Sequence, residues 1–170
     1  MSWHSSAILI QAESLPGDAF LLGLLGFPGA LEFGPIDFDS ATSTAVLEAL
    51  EGSLGAAVAS VEGWVSIWGP LLFADSDALA RLSRGGAAMT LMLEGASGTA
   101  GFDWYRDGIL LRRWLVQEGN VIHDEGDPLP EESEAALDDD ESRVLLLLER
   151  LVLPLGALAD AQYTLYRLPD

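Results

Sequence analysis

Across residues 87–127 apolar and polar positions alternate, and two turn signals divide the stretch into a run of antiparallel strands. Ala87 to Glu94 reads as the first strand, Gly95-Ala96-Ser97-Gly98 as a loose connection, and Thr99 to Arg106 as the second strand. Asp107-Gly108 is the strongest short hairpin signal, because a two-residue type I′ turn needs positive φ and glycine accepts it without steric cost. With register fixed by that turn, Tyr105 faces Leu110, Trp104 faces Leu111, Asp103 faces Arg112 and Phe102 faces Arg113. A second turn at Glu118-Gly119 sets Val116 against Val121, Leu115 against Ile122, Trp114 against His123, Arg113 against Asp124 and Arg112 against Glu125. The two arginines then mark where the sheet leaves the core, neutralised by the acids beside them.

The remaining pattern supplies further strands and a few helices. Residues 6–11 form a short apolar strand whose neighbours are central. Ser14, Pro16 and Asp18 open a helix that runs to Leu25, where Gly26-Phe27-Pro28-Gly29 stops it. Residues 30–43 hold no period and read as an irregular connection or short strand; a helix over 44–51 follows, with Val46, Leu47 and Leu50 on one face. Residues 56–62 and 64–68 meet at Glu62-Gly63 as a hairpin, and Asp75 caps a short helix over 78–83. Asp127-Pro128-Leu129-Pro130 forces an extended exit from the meander. A helix over 141–153, apolar nearly all round, and a terminal strand over 162–167 complete the chain. The expected fold is a single α+β domain over residues 1–170, a mainly antiparallel sheet of hairpins packed by a few helices.

Charge narrows the partners. Acids outnumber bases 27 to 8, a formal net charge of -19, which excludes phosphate neutralisation and so argues against nucleic acid and anionic membranes. Every base is an arginine, and the absence of cysteine removes disulfides and thiolate chemistry. No secretion signal is visible in residues 1–11, whose apolar run is short and lacks a basic flank, and the longest apolar run, 144–148, falls far short of the roughly 20 residues needed to span a bilayer. The cytoplasm is the expected compartment. Ten acids and no base lie in residues 124–141. That segment reads as a solvated loop, as adaptation to high salt, or as a docking surface for a cationic protein. Its concentration of acids in one place favours a local role.

Candidate chemistry is sparse. His123, Asp124, Glu125 and Asp127 are close in sequence, but neighbours in a strand point to opposite faces and do not converge on a metal. His4 and His123 read as structural, Ser97 has no companion base, and neither a phosphate loop nor a nucleophile elbow is present. Trp64, Trp68, Trp104 and Trp114 fall on expected strands and fill a core. No cofactor or metal is implied.

The runs Leu79-Ala80-Arg81-Leu82-Ser83-Arg84-Gly85, Ser97-Gly98-Thr99-Ala100-Gly101-Phe102, Tyr105-Arg106-Asp107-Gly108, Arg112-Arg113 and Asp124-Glu125-Gly126-Asp127-Pro128-Leu129-Pro130-Glu131 resemble a group of small acidic bacterial proteins. Some of these resemble the immunity proteins that neutralise secreted polymorphic toxins. The likeness covers about half the chain, from Gly63 onward, and implies no catalytic residue. The function expected is therefore binding without catalysis: an inhibitor whose acidic face covers the basic site of a cognate toxin. The docking carboxylates would be Asp124, Glu125, Asp127, Glu131, Glu132, Glu134, Asp138, Asp139 and Asp140, helped by Asp37 and Asp39. The alternatives are an enzyme or small-ligand protein with a pocket between helix and sheet, and a structural adaptor module.

Overall fold

The computed structural model describes residues 3–11, 15–43, 54–70, 72, 74–135 and 139–169. Among them, nine strands form one sheet: β1 (His4–Gln11), β2 (Leu31–Ile36), β3 (Leu54–Val61), β4 (Trp64–Gly69), β5 (Ala87–Glu94), β6 (Thr99–Arg106), β7 (Ile109–Gln117), β8 (Asn120–Glu125) and β9 (Tyr163–Leu168). They lie in the order β2-β9-β3-β4-β1-β5-β6-β7-β8, and every pairing is antiparallel. The α+β class and the central place of the first strand agree with the alternation pattern. Three hairpins turn through a non-glycine residue at positive φ followed by glycine: Glu62-Gly63 (47° and 81°), Asp107-Gly108 (51° and 84°) and Glu118-Gly119 (51° and 76°). These are the φ values that a type I′ turn requires, so the turn chemistry placed all three.

Helices cover both faces, because each strand alternates its side chains between two apolar layers. On the back face α2 (Phe38–Ala41), α5 (Asp140–Leu151) and α6 (Leu155–Ala159) pack over a layer that holds Trp64, Trp68, Trp104 and Trp114. Trp68 is fully enclosed, and its indole N–H donates to Ser66 Oγ at 2.8 Å, so the ring's one polar atom is satisfied inside the core. On the front face α1 (Asp18–Leu24) and α3 (Ser76–Leu82) pack over Ile8, Ile10, Val58, Ile67 and Tyr105. The front helices stop short of the β7–β8 side. The four-residue α4 (Glu132–Ala135) lies beside α5, tied to it by Arg150 Nε to Glu134 Oε2 at 3.0 Å.

Several details depart from the expected pattern. Asp75 caps α3 as expected, accepting N–H groups from Asp77 and Ala78, but α1 starts at Asp18 with Gly17 at its cap position and no side-chain cap. Ser14 and the helix expected over 44–51 lie outside the described residues. Residues 30–43 hold the edge strand β2 and the helix α2. The helix α5 is amphipathic and not apolar all round: Val144, Leu147 and Leu148 are buried, while Glu149 and Arg150 face water. After Pro154 the chain forms one further short helix, α6, before β9.

The largest correction concerns register. The pairing holds from Arg106–Ile109 to Tyr105–Leu110, then a bulge inserts Leu111, so that Trp104 faces Arg112, Asp103 faces Arg113 and Phe102 faces Trp114. In a uniform ladder Trp114 and Val116 would have pointed to the open front face. One extra residue turns both into the back core, where they are buried with Phe102 and Ala100. A second bulge at Ile122 follows Val116–Val121, giving Leu115–His123, Trp114–Asp124 and Arg113–Glu125. It delivers Asp124 to the side of Arg112, and His123 and Glu125 to the side of Arg113.

Candidate functional site

The acidic segment is folded around one arginine. Arg112, expected where the sheet leaves the core, instead points into the back face and is only 2% exposed. Its Nε and Nη2 donate to Glu132 Oε2 and Oε1 at 2.9 and 3.0 Å, a two-pronged pair closed to water on both sides. Its Nη1 donates to Asp124 Oδ1 and to the carbonyl oxygens of Glu125 (3.2 Å) and Gly126 (3.1 Å). Glu132 also accepts the Leu129 N–H and, at 3.3 Å, Arg143 Nη2, whose guanidinium lies 4.3 Å over the Trp114 ring. The carboxylate partners, Glu132 above all, hold the Arg112 guanidinium more firmly protonated than usual despite its burial. Gly126 permits the turn, at φ 80°, because a Cβ there would run into the Leu111 carbonyl oxygen.

This arrangement sorts the candidate docking carboxylates. Asp124, Glu125, Asp127 and Glu134 are exposed and Glu131 is half-buried; all belong to β8 or to the segment that follows it. Glu132 is removed from the docking set, since it is 4% exposed and both its oxygens are committed to Arg112 and their neighbours. Asp139 is exposed but serves α5 as its cap, accepting Ser142 N–H at 3.0 Å and Ser142 Oγ–H at 2.8 Å, which pulls its carboxyl below the usual range. Asp140 is half-buried in the first turn of α5, and Asp138 lies outside the described residues. Asp37 and Asp39 do not join this group. They flank the start of α2, which packs on β9, seven strand spacings of about 4.8 Å from β8. Asp37 is exposed and caps α2 through Ser40 N–H at 2.8 Å.

The strand β8 itself is exposed over all six residues and, among the described residues, has no partner on its outer edge at the end of the sheet. Val121 and Ile122 are 59% and 49% exposed, a pair of large apolar side chains beside Asp124, Glu125 and Asp127. His123 and Glu125 share the front side, with Nδ1 and Oε1 3.6 Å apart, while Asp124 turns to Arg112 on the back. That alternation keeps the expected metal-like sequence cluster divided, and among the described residues no three ligating side chains converge.

A cleft of about 290 Å³ opens on the front face beside α3, between that helix and the part of the sheet toward β7 and β8 that the front helices leave uncovered. Its floor holds Thr90, Met92, Gly101, Asp103, Arg113 and Leu115, with Leu72, Ser76 and Leu79 on one wall and His123 on the other. Gly101 is required: a Cβ there would sit 2.7 Å from the Trp114 carbonyl oxygen and 2.6 Å from Leu115 Cδ1. Arg113 donates from Nε and Nη2 to the two oxygens of Asp103 at 3.0 and 2.9 Å, and its Nη1 lies 4.0 Å from Glu125 Oε2. Asp103 thereby holds the Arg113 guanidinium firmly protonated. Beside this pair the Tyr105 hydroxyl is buried and makes no well-formed hydrogen bond among the described residues, and burial pushes its phenol upward. Sequence reasoning allowed a pocket between helix and sheet but not this lining, since the uniform register had given Asp103 to Arg112. The chain matches no family model, no curated protein and no solved structure.

Proposed function

We propose that the chain is a binding protein that inhibits a basic enzyme by covering its site, in the manner of an immunity protein. The observation that carries the reading is β8: an open sheet edge with two exposed apolar side chains, Val121 and Ile122, bordered by the carboxylates of Asp124, Glu125, Asp127, Glu131 and Glu134. Apolar side chains at the centre of a contact supply most of the affinity, while a charged rim speeds encounter and selects partners of opposite sign. An unpaired edge also offers backbone groups to an added strand. Because Arg112 fixes the segment 124–132 from beneath, the rim is ordered before a partner arrives, which lowers the entropy lost on binding. The compartment proposed is the cytoplasm; among the described residues no helix is long and apolar enough to cross a membrane.

The test uses the purified product of the adjacent gene as the candidate toxin. Binding is expected to weaken steadily as salt rises from about 0.01 M, where the screening length is about 30 Å, to about 1 M, where it is about 3 Å. Replacing Val121 and Ile122 together by arginine is expected to cost about 2 kcal/mol of binding, the scale of a hot-spot residue. Affinity indifferent to both changes would remove the β8 edge as the docking surface.

A further inference from the structure

The front cleft adjoins the proposed docking edge, since β8 supplies His123 to its wall and sets Glu125 opposite Arg113. Its lining is of two kinds. Met92, Leu115 and Leu79 give an apolar track, while Asp103 and Arg113 give a charged end; Glu125 stands just outside the lining, its Oε2 4.0 Å from Arg113 Nη1. Two carboxylates bracket a single guanidinium, so this end carries one net negative charge when His123 is neutral. The paired arginine uses one lone pair on each Asp103 oxygen, and each oxygen can accept a further N–H. An anionic ligand would meet both carboxylates within a molecule of net charge -19. A wholly apolar one would strip water from the ion pair and return no hydrogen bond. At about 290 Å³ the space lies at the lower limit for drug-sized ligands, roughly 300 Å³, and suits a single long side chain.

We infer that this cleft receives an arginine side chain of the basic partner, its methylenes along Met92 and Leu115 and its guanidinium donating to Asp103 and Glu125. An aliphatic stem with a charged head matches such a divided lining. The inference rests on the docking function proposed above and names the anchor that docking would use.

The probe is Nα-acetyl-arginine methylamide, titrated into the whole protein and followed by amide NMR. Saturable shifts are expected at Gly101, Asp103, Leu115 and His123, with a dissociation constant on the order of 1 mM for so small a ligand. The citrulline analogue, neutral and of the same shape, is expected to bind about tenfold more weakly, and Glu125→Gln to weaken the arginine probe to a similar degree. Met92→Trp, which fills the track, is expected to abolish binding; the exposed Glu125→Gln remains informative if the tryptophan disturbs folding. Equal binding of the two analogues, or saturable shifts confined to other surfaces, overturns the inference. A macromolecular partner that loses affinity on substitution of Val121 and Ile122 but is indifferent to Met92→Trp and Glu125→Gln overturns the anchor and leaves the docking function standing. Saturable arginine binding with no effect of Val121 and Ile122 on any partner supports the cleft and overturns the β8 docking edge.

Discussion

The ion pair of Arg112 with Glu132 gives a sharp test of what holds the acidic segment to the sheet. Replacing Arg112 by methionine removes five hydrogen bonds and leaves Glu132, 4% exposed, facing a cavity without its main counter-charge. Breaking a buried pair from one side costs about 3–5 kcal/mol. The lower end applies here, because Glu132 keeps the Leu129 N–H and Arg143, and the carbonyl groups of Glu125 and Gly126 belong to exposed residues that water can reach. A loss of about 3 kcal/mol corresponds to a fall in Tm of roughly 6–12 °C for a chain of this size. Replacing both partners, Arg112→Met with Glu132→Leu, leaves neither charge stranded and is expected to recover most of that loss, since apolar replacement of a whole buried pair is often neutral or better. Urea denaturation of the wild type, both single variants and the double variant closes the cycle, with a coupling of about 2–3 kcal/mol expected. If the double variant lost the sum of the two single losses, the pair would not be the unit that anchors the segment.

Three further outcomes follow from the geometry. Gly119→Ala, at φ 76° with open space around it, is expected to cost about 1–2 kcal/mol from left-handed backbone alone, whereas Gly126→Ala adds collision with the Leu111 carbonyl and should cost distinctly more; equal losses by denaturant titration would refute the close approach. Asp139→Ala is expected to cost about 1 kcal/mol through loss of the α5 cap. Because the cap lowers the folded carboxyl below its unfolded value of 3.8, the wild-type advantage is full above that pH and is lost as acid takes the group through its folded pKa; an advantage that did not shrink on acidification below 3.8 would contradict this. The three tyrosines, Tyr105, Tyr163 and Tyr166, all have phenols raised by burial, Tyr166 to about 12, so the neutral forms stabilise the fold below the usual value near 10 and that contribution is lost as pH rises through the folded values. Ultraviolet titration of the folded protein should therefore show phenolate formation displaced above the usual value near 10, and a step at 10 would indicate exposed rings.

Local chemistry made much of this fold legible. Glu62-Gly63, Asp107-Gly108 and Glu118-Gly119 identified their hairpins because the turn is determined by two residues and their allowed φ. The four strand tryptophans were readable as core because large rings on alternating positions have few other places to go. The bulges at Leu111 and Ile122 were not legible, since each satisfies a demand from distant residues: burial of Trp114 beside Phe102, and delivery of Asp124 to Arg112. The same slip moved Arg112 indoors and gave Asp103 to Arg113, so the front cleft could not be drawn from a uniform ladder. Among the acids, position along the chain suggested one surface. The sheet order separates Asp37 and Asp39 from the rest, and that order is set by long-range pairing.

The placement of β1 between β4 and β5 has a consequence for how the molecule assembles. The meander β5 to β8 contains only sequential hairpins, and so does the pair β3–β4; both can close with short loops and on fast timescales. Joining them requires the earliest strand to bridge two partners that are made later, and β9 must arrive before β2 finds its neighbour. Folding is therefore expected to proceed as two hairpin blocks zipped together late by β1. Substitutions at Ile8 or Leu9 should mainly accelerate unfolding, and those in the β6–β7 turn should slow refolding.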